Sequence, residues 1–275
     1  MKAIRIIIIL NIFASIITNV NAQQSDLDKN KLGLLKPGIL MIGMEIGYPP
    51  MEYFADDGKT PIGFSIDMSK AIADKLGLKV EFVDTAWDGI FVGVDRGRYD
   101  AIISSVTITE ARMRAYNFSK PYFADTLAMV LLKNSTITAR TPEECAGLTV
   151  AFQADTTADF YMQDLEDYMG LKFFLRGYEK AINCFDELRL GRVDVVITEM
   201  SVAMEYAAAG NSLFSIVWED PEPGLFGICM KNGNAALTNA INNVLDELFK
   251  DGTMSRISKK HSLGDYPVIK ARQLW

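Results

Sequence analysis

The sequence has very few of the side chains that most often perform catalysis or bind transition metals. Its 275 residues include one histidine, His261, and three cysteines, Cys145, Cys184 and Cys229, none of them in a CxxC pair. A zinc centre needs several such ligands close together, and a hydrolase of the nucleophile–histidine type needs its histidine beside a nucleophile. Both classes are therefore disfavoured, and we expect neither a metal nor an organic cofactor.

Basic runs are also lacking. The formal net charge is −7, from 28 basic and 35 acidic residues. An acidic chain without clusters of lysine and arginine lacks the electrostatic attraction on which nucleic-acid binding depends. We therefore expect no nucleic-acid partner.

The one long apolar run stands at the N-terminus. Lys2 and Arg5 precede an apolar stretch over residues 6–17, and Val20-Asn21-Ala22 follows it. This pattern is typical of a secretory signal peptide over residues 1–22, and the run is shorter than the ~20 residues of a membrane-spanning helix. An uncleaved membrane anchor is the alternative. No cysteine directly follows the run, so lipid attachment at a new N-terminal cysteine is not expected. We expect a periplasmic or otherwise extracytoplasmic protein that is not a lipoprotein.

Cleavage after residue 22 has two consequences. The loss of Lys2 and Arg5 takes the formal charge from −7 to −9 (26 minus 35), and residues 23–31 become a polar start that we expect to be flexible. Export also places the three cysteines in an oxidising compartment. At most one pair can form, and the sequence does not choose it; three unpaired, buried small residues are the alternative.

The rest of the chain alternates short apolar strands with amphipathic helices. A strand–helix order runs through residues 39–106 and starts again at residue 148, which predicts two α/β units, each a mostly parallel sheet flanked by helices. Extended apolar stretches at 127–132 and 225–230 predict two hinge strands. We assign residues 32–128 and 229–275 to lobe 1 and residues 129–228 to lobe 2, with a cleft between them.

Polar and aromatic side chains collect where the predicted strands end. Ligands of parallel α/β sheets bind beyond the carboxyl ends of the strands, so these residues are the candidates for a binding site. The candidate ligand-binding residues are Glu45, Tyr48, Trp87, Ser104, Ser105, Thr107, Arg112, Gln153, Thr156, Thr157 and Glu199.

Arg112 is the most informative of them. Thr109 is a good helix N-cap, which puts Arg112 in the first turn, where a cation opposes the helix dipole. A guanidinium can bind a carboxylate through two parallel hydrogen bonds. We therefore predict that Arg112 binds a ligand carboxylate, with a surface ion pair as the alternative; Arg114 is the better candidate for such a solvated pair.

The hydroxyls have a capping alternative. Ser105 and Thr107 are predicted to project the same way from an extended segment, and Thr156 and Thr157 open a helix whose N–H groups suit an anion. Each of these side chains also serves as a simple cap of the turn or helix that follows.

The acidic and aromatic candidates complete the site. Glu199 and Glu45 suit positive ligand groups, with a solvated acid as the alternative. Tyr48 and Trp87 suit the two faces of a side chain, with core packing as the alternative.

The motifs resemble the periplasmic amino-acid-binding proteins of ABC importers, solute-binding protein family 3. The resemblance covers residues 32–264 and is carried, in order, by YPPMEY, GFSIDMSKAIADKLG, WDGI, YDAIISSVTITEAR, FSKPY, QADTT, GRVDVVITE and AINNVLDELFKDGT. It implies the two-lobed type II periplasmic-binding-protein fold, closing on one free amino acid, and a membrane permease as partner of a monomeric protein without enzymatic activity.

The resemblance also implies a role for each candidate. Arg112 would bind the α-carboxylate with Thr107, Thr156 and Thr157. Ser105 and Glu199 would bind the α-ammonium. Tyr48 and Trp87 would flank the side chain, with Glu45 at its far end.

Two positions depart from the family pattern. Glu199 stands where the family usually has aspartate, and Asp155 stands where it usually has glycine. Asp155 adds negative charge beside the anion site and is positioned to cap the helix itself.

The two glutamates set the expected ligand class and the alternatives. Glu45 and Glu199 make the far wall acidic, which favours a basic or polar neutral amino acid. A sensory protein that docks on a receptor shares the same site. A cyclohexadienyl dehydratase needs a further catalytic acid, which the residues around Glu199 do not supply.

Overall fold

The structure is a computed structural model that describes residues 31–208 and 212–274. The predicted signal peptide and nearly all of the polar segment after it, residues 1–30, lie outside the described residues. Within the described ranges, none of the helices combines the length and the apolar character that crossing a bilayer demands.

The described residues form fourteen strands and nine α-helices. The strands are β1 (Ile39–Met44), β2 (Tyr53–Phe54), β3 (Pro61–Ile62), β4 (Lys79–Asp84), β5 (Ala101–Ile102), β6 (Tyr116–Phe118), β7 (Phe123–Asp125), β8 (Leu127–Leu132), β9 (Thr149–Gln153), β10 (Phe174–Tyr178), β11 (Val195–Glu199), β12 (Phe214–Glu219), β13 (Gly224–Phe226) and β14 (Cys229–Lys231). The helices are α1 (Phe64–Leu76), α2 (Trp87–Asp95), α3 (Glu110–Ala115), α4 (Thr157–Met169), α5 (Ala181–Arg189), α6 (Met200–Ala208), α7 (Ala235–Lys250), α8 (Thr253–Lys260) and α9 (Tyr266–Gln273).

Two five-stranded sheets give the chain two lobes, which confirms the predicted α/β architecture. The first sheet has the order β4-β1-β5-β14-β6 and the second has the order β10-β9-β11-β8-β12. In each sheet four strands run in one direction and one, β14 or β8, runs against them. Both sheets are therefore mostly parallel, and their strand orders match.

Helix α1 shows how local sequence sets these elements. Its apolar residues recur at a helical spacing, so that Ile66, Ile72 and Leu76 are buried on one face. The helix ends at Gly77, whose φ of 63° lies in the left-handed region that glycine adopts at little cost. The largest buried apolar cluster among the described residues has members in both lobes, for example Leu40 in lobe 1 and Phe185 in lobe 2.

The connection between the lobes differs from the prediction. Residues 127–132, predicted as a hinge strand, are β8, a strand of the second sheet paired with β11 and β12. The chain crosses instead through β7 and β13, which pair with each other outside both sheets. We call this pair the hinge ribbon. An apolar extended stretch looks the same in a sheet as in a linker, so the sequence did not separate them.

The three cysteines are buried and free. The alternative of unpaired, buried small residues is therefore the one that the structure has. Burial raises the pKa of all three thiols, Cys145, Cys184 and Cys229, to about 12, so they remain protonated at neutral pH.

Candidate functional site

All eleven candidate residues line one cavity between the two lobes. One further residue, Glu52, lines it with them. Lobe 1 supplies residues from the ends of β1 and β5 and from α2 and α3, while lobe 2 supplies residues from the ends of β9 and β11. The cavity measures about 20 Å³, which is room for roughly one water molecule.

The Arg112 guanidinium is fixed between the lobes. The backbone N–H of Arg112 donates to the Thr109 hydroxyl at 3.2 Å, which confirms Thr109 as the N-cap of α3. One guanidinium nitrogen donates to the Thr107 carbonyl at 3.0 Å, and the other lies 3.5 Å from the Asp155 carbonyl of lobe 2. The Trp87 ring lies 5.4 Å away and that of Phe91 5.2 Å, so cation–π contacts also hold the group.

Arg112 makes no carboxylate ion pair among the described residues, unlike Arg114, which pairs with Glu110 on the surface at 3.7 Å. Burial lowers the pKa of Arg112, and nearby Glu199 opposes that shift. The surface-pair alternative therefore describes Arg114, as predicted. The positive charge of Arg112 is therefore not neutralised by a carboxylate among the described residues.

The inner end of the cavity is acidic, and both of its acids belong to lobe 1. The Ser104 hydroxyl accepts from the Glu45 backbone N–H and donates to a Glu52 carboxyl oxygen, both at 3.0 Å. Burial raises the pKa of Glu45 to about 7 and that of Glu52 to about 8. These two acids therefore hold protons at a pH where ordinary carboxyls are ionised.

Lobe 2 reaches this end through Gln153. Its side-chain amide donates to Glu45 Oε2 at 2.6 Å and to the Glu179 carbonyl at 3.0 Å. The bond to Glu45 joins the two lobes and lowers the pKa of that carboxyl in part.

Glu199 joins the lobes a second time. At the end of β11 it is 7% exposed, and it accepts from the Tyr48 hydroxyl of lobe 1. Its other carboxyl oxygen accepts from the Thr157 hydroxyl at 3.3 Å. Burial, followed by the charge of Glu199, raises the pKa of Tyr48 well above its ordinary value, so Tyr48 remains a donor.

Asp155 does not cap helix α4, contrary to the expectation. The N-cap is Thr156, whose hydroxyl donates to the Gln153 carbonyl at 2.7 Å and accepts nothing from the helix. Asp155 has a φ of 61°, the left-handed region in which glycine is favoured and aspartate is tolerated. Its carbonyl accepts from the Trp87 indole N–H at 3.0 Å, which is a third bond between the lobes.

Ser105 and Thr107 are predicted to lie on one regular extended segment, but the structure does not have such a segment. Ser105 has a φ of 50°, so the chain turns there, and only Ala101–Ile102 of the predicted strand pair with neighbours. Both residues still line the cavity. The Ser105 hydroxyl is buried and has no hydrogen-bond partner among the described residues.

A larger cavity of about 880 Å³ continues outward from the inner one. Both cavities share Trp87, Thr107, Arg112, Thr157 and Glu199. The shared residues form the boundary between a wide mouth and a narrow inner site. Within the described part of the chain, no group of histidine, cysteine or acidic residues is arranged to hold a metal ion.

The family model of the bacterial extracellular solute-binding proteins, family 3, matches residues 40–264. The chain belongs to this family. The match spans both lobes and every residue of the site, and it confirms the resemblance that the motifs carry.

Several proteins to which the chain is similar are binding proteins. The L-cystine-binding protein TcyJ of Escherichia coli (strain K12) is 28% identical over 223 residues, covering 81% of this chain and 82% of TcyJ. A solved ancestral arginine-binding protein bound to arginine is 35% identical with a TM-score of 0.76, covering 81% of this chain and 97% of that one.

One solved relative has a link to enzymes. The ancestral amino acid-binding protein AncCDT-1, described as a precursor of cyclohexadienyl dehydratase, is 32% identical with a TM-score of 0.74, covering 81% of this chain and 95% of that one. Family 3 membership by itself therefore does not separate binding from catalysis.

Glu52 is the site residue that the sequence analysis missed. It stands inside the motif YPPMEY, four residues after Tyr48. Its carbonyl accepts from the backbone N–H groups of Gly47 and Tyr48, which turns the chain back on itself. A glutamate directly before the short strand Tyr53–Phe54 gives no local sign of burial, so no pattern in the sequence marks it as a site residue.

Proposed function

We propose that the protein is an extracytoplasmic solute-binding protein that captures one free amino acid and delivers it to an ABC importer. The observation that carries this proposal is the Arg112 guanidinium, which faces the other lobe inside the cleft and has no carboxylate partner among the described residues. A charged group fixed in this way is complementary to the carboxylate of a zwitterion.

The bonds between the lobes suggest how the ligand binds. Arg112 now reaches the carbonyl of Asp155, and a ligand α-carboxylate is a stronger acceptor because it is charged. Thr107 and the first turn of α4, with Thr156 and Thr157, surround the same place. We infer that the lobes open, and that the ligand carboxylate replaces the Asp155 carbonyl on Arg112.

The α-ammonium has a matching partner in Glu199. This carboxylate accepts from Tyr48 and Thr157, and an ammonium group supplies the same kind of donor together with a positive charge. Ser105, whose hydroxyl is buried and unpaired among the described residues, is the second acceptor for the ammonium. Tyr48 and Trp87 then flank the ligand side chain.

The inner end of the cavity selects the side chain. Glu45 now accepts from the amide of Gln153, and a basic or polar neutral side chain presents comparable donors. The two acids supply no positive charge to balance a ligand carboxylate there, and burial disfavours an unbalanced charge. The names of the relatives, which include arginine-binding proteins, favour a basic ligand.

A thermal-shift panel of the common amino acids tests the proposal. Ligands that bind the folded state raise the melting temperature, and we expect arginine, lysine, histidine or glutamine to give the largest rise. The largest rise with glutamate or aspartate would contradict the proposed ligand class, and no rise with any amino acid would contradict the proposed function.

Export and assembly belong to the same proposal. We infer a signal peptide over residues 1–22, cleavage before Gln23 and a monomeric mature protein, supported by the extracellular family description. N-terminal sequencing of the exported protein should begin at Gln23, and light scattering should give a single monomer mass. Retention of residues 1–22 would favour the membrane-anchor alternative.

A dehydratase is the second candidate, because of AncCDT-1 and the raised pKa values of Glu45 and Glu52. A proton donor of suitable pKa is one requirement of general acid catalysis. Glu52, however, is fully buried, and its carboxyl already accepts from the Ser104 hydroxyl. We therefore expect no turnover of prephenate or arogenate, and formation of the aromatic product would reverse the assignment.

A further inference from the structure

Glu52 is a buried acid at the innermost point of the cleft. Its side chain is 0% exposed, yet it lines the inner cavity. Backbone hydrogen bonds with Gly47 and Tyr48 hold the turn that carries it. Its position is therefore fixed by the same turn that places Tyr48 in the site.

The hydrogen bonding of Glu52 and Glu45 is incomplete. Ser104 satisfies one oxygen of Glu52, and Gln153 satisfies one oxygen of Glu45. The other oxygens, Glu52 Oε2 and Glu45 Oε1, are buried without a partner among the described residues. An unsatisfied buried acceptor is costly. A proton or a ligand cation would satisfy either atom, and the Ser65 hydroxyl, likewise buried and unpaired among the described residues, is a further donor near Glu52.

The charges around the pair do not supply that cation. Glu45 raises the pKa of Glu52, and Glu52 raises that of the neighbouring Tyr122. The Ser65 hydroxyl lies near Glu52 and lowers its pKa, but no hydrogen bond of good geometry joins them.

Around Glu45, the charges of Asp84 and Glu179 raise its pKa, and that of Lys180 lowers it. The net result is a pKa of about 7 for Glu45 and about 8 for Glu52. In the ligand-free protein at neutral pH, the pair is therefore largely protonated.

We propose that Glu52 determines specificity as the second carboxyl of the side-chain subsite, and that a cationic ligand side chain displaces a proton from Glu52 to solvent. The inference rests on the proposed function and extends it to a residue outside the candidate list. The positive charge of the ligand takes the place of the proton, so the two buried oxygens gain a donor without an unpaired negative charge.

The proposal fixes the sign of the pH dependence. Rising pH removes the proton that the ligand must otherwise displace, so affinity for a cationic side chain increases as pH rises through the pKa of Glu52. An acid with a pKa of about 8 goes from about nine-tenths protonated at pH 7 to about one-tenth at pH 9. A neutral side chain gains nothing from this deprotonation.

The test is calorimetry of L-arginine and L-glutamine binding at pH 7 and pH 9. The ratio of their Kd values cancels the titration of the ligand α-amino group, which both ligands share. We expect the preference for arginine to increase roughly twentyfold in the unmodified protein, where both acids titrate, and about twofold in Glu52→Gln, where only Glu45 still titrates. The matched variant Glu45→Gln should retain most of the increase.

The outcomes separate the two proposals. If neither amino acid binds, the proposed function fails and this inference fails with it. If both bind and the preference does not change with pH, or if Glu52→Gln keeps the full increase, only the role of Glu52 is overturned.

A second measurement needs no substitution. At pH 8, in buffers of different ionisation enthalpy, arginine binding to the unmodified protein should release about half a proton more than glutamine binding, because an acid with a pKa of about 8 is half protonated at that pH. Equal release for the two ligands would overturn the role of Glu52 even if Glu52→Gln does not fold.

Discussion

The two lobes have the same strand order but contribute differently to the site. In lobe 1 several site residues bond to one another as well as across the cleft: Ser104 links Glu45 to Glu52, and Arg112 donates to the carbonyl of Thr107 and lies 3.5 Å from that of Asp155. In lobe 2 the polar side chains of Glu199 and Gln153 each bond to a side chain of lobe 1, Tyr48 and Glu45.

This difference indicates that the two lobes contribute to ligand binding at different stages. Lobe 1 holds its polar groups in place before any ligand arrives, so its groups set the affinity through preorganisation. Lobe 2 directs donors and acceptors toward lobe 1, so its groups act when the hinge ribbon allows the cleft to close. Substitutions in lobe 1 are therefore expected to cost more than substitutions in lobe 2.

Arg112→Ala tests the lobe 1 side with the largest effect. Loss of one partner from a desolvated charge pair costs ~2–5 kcal/mol, so L-arginine should bind about 30-fold to several thousand-fold more weakly by calorimetry. Arg114→Ala is the matched control, since Arg114 is on the surface, and should leave Kd unchanged. A loss under threefold for Arg112→Ala would remove that residue from the site.

Glu199→Gln tests the lobe 2 side. The amide keeps an acceptor for Tyr48 but loses the charge that we propose pairs with the ligand ammonium. A hydrogen bond to a charged group contributes roughly 1.5–3 kcal/mol, so Kd should rise about 10-fold to 100-fold. Glu205→Gln, at an exposed position on α6, serves as control. An effect larger than that of Arg112→Ala would reverse the ranking of the lobes.

The pH dependence of the free energy of unfolding gives a further comparison of the lobes. Of the three buried acids with strongly raised pKa values among the described residues, two belong to lobe 1. Burial raises the pKa of Glu45 to about 7, Glu52 to about 8 and Asp125 of the hinge ribbon to about 7. Between pH 5 and 7 the folded state holds protons that the unfolded state has lost. The free energy of unfolding should therefore fall as pH rises, by up to about 1.4 kcal/mol per pH unit for each acid.

Urea unfolding of the ligand-free protein at pH 5.5, 6.5 and 7.5 measures this fall. The lowered pKa values of surface acids such as Asp67 and Asp251 act at lower pH, because an acid with a lowered pKa loses its contribution only as pH falls. Glu52→Gln should flatten the curve, and an unchanged curve would mean that Glu52 does not titrate in this range.

Thr157→Ala should have the smallest effect. Thr157 donates to Glu199 at 3.3 Å, a long bond to a carboxylate that also accepts from Tyr48, so we expect its loss to cost no more than an ordinary hydrogen bond, about 0.5–1.5 kcal/mol. L-arginine binding should weaken about twofold to tenfold, while Thr157→Ser, which keeps the hydroxyl, should bind within about twofold of the unmodified protein. A larger loss for Thr157→Ala would make the first turn of α4 an anchor comparable with Arg112.

Several elements were predictable to the residue because their signals are local. The sequence pattern predicts helices over residues 87–95 and 157–169 and a strand over residues 39–44, and the structure has the helices Trp87–Asp95 and Thr157–Met169 and the strand Ile39–Met44. The strand predicted over residues 100–106 shrinks to Ala101–Ile102, because Ser105 turns the chain. That turn depends on contacts with the rest of the lobe and leaves no pattern in the residues around it.

The site was predictable to a similar degree. Strand ends converge in a parallel sheet, so the positions of Arg112 and Glu199 followed from the order of the elements. Glu52 did not follow, since a glutamate next to a short strand usually faces solvent. Only the packing of the turn after β1 shows that this carboxyl is buried.

The sequence by itself determined the alternation of strands and helices and the residue types that end the strands, because periodicity and capping act over a few residues. The tertiary structure decided which strand is part of a sheet and which forms the hinge ribbon. It also decided that Glu45 and Glu52 are desolvated together. The physical reason is that strand pairing and burial depend on groups distant in the chain, and a carboxyl shows its surroundings only once they have assembled around it.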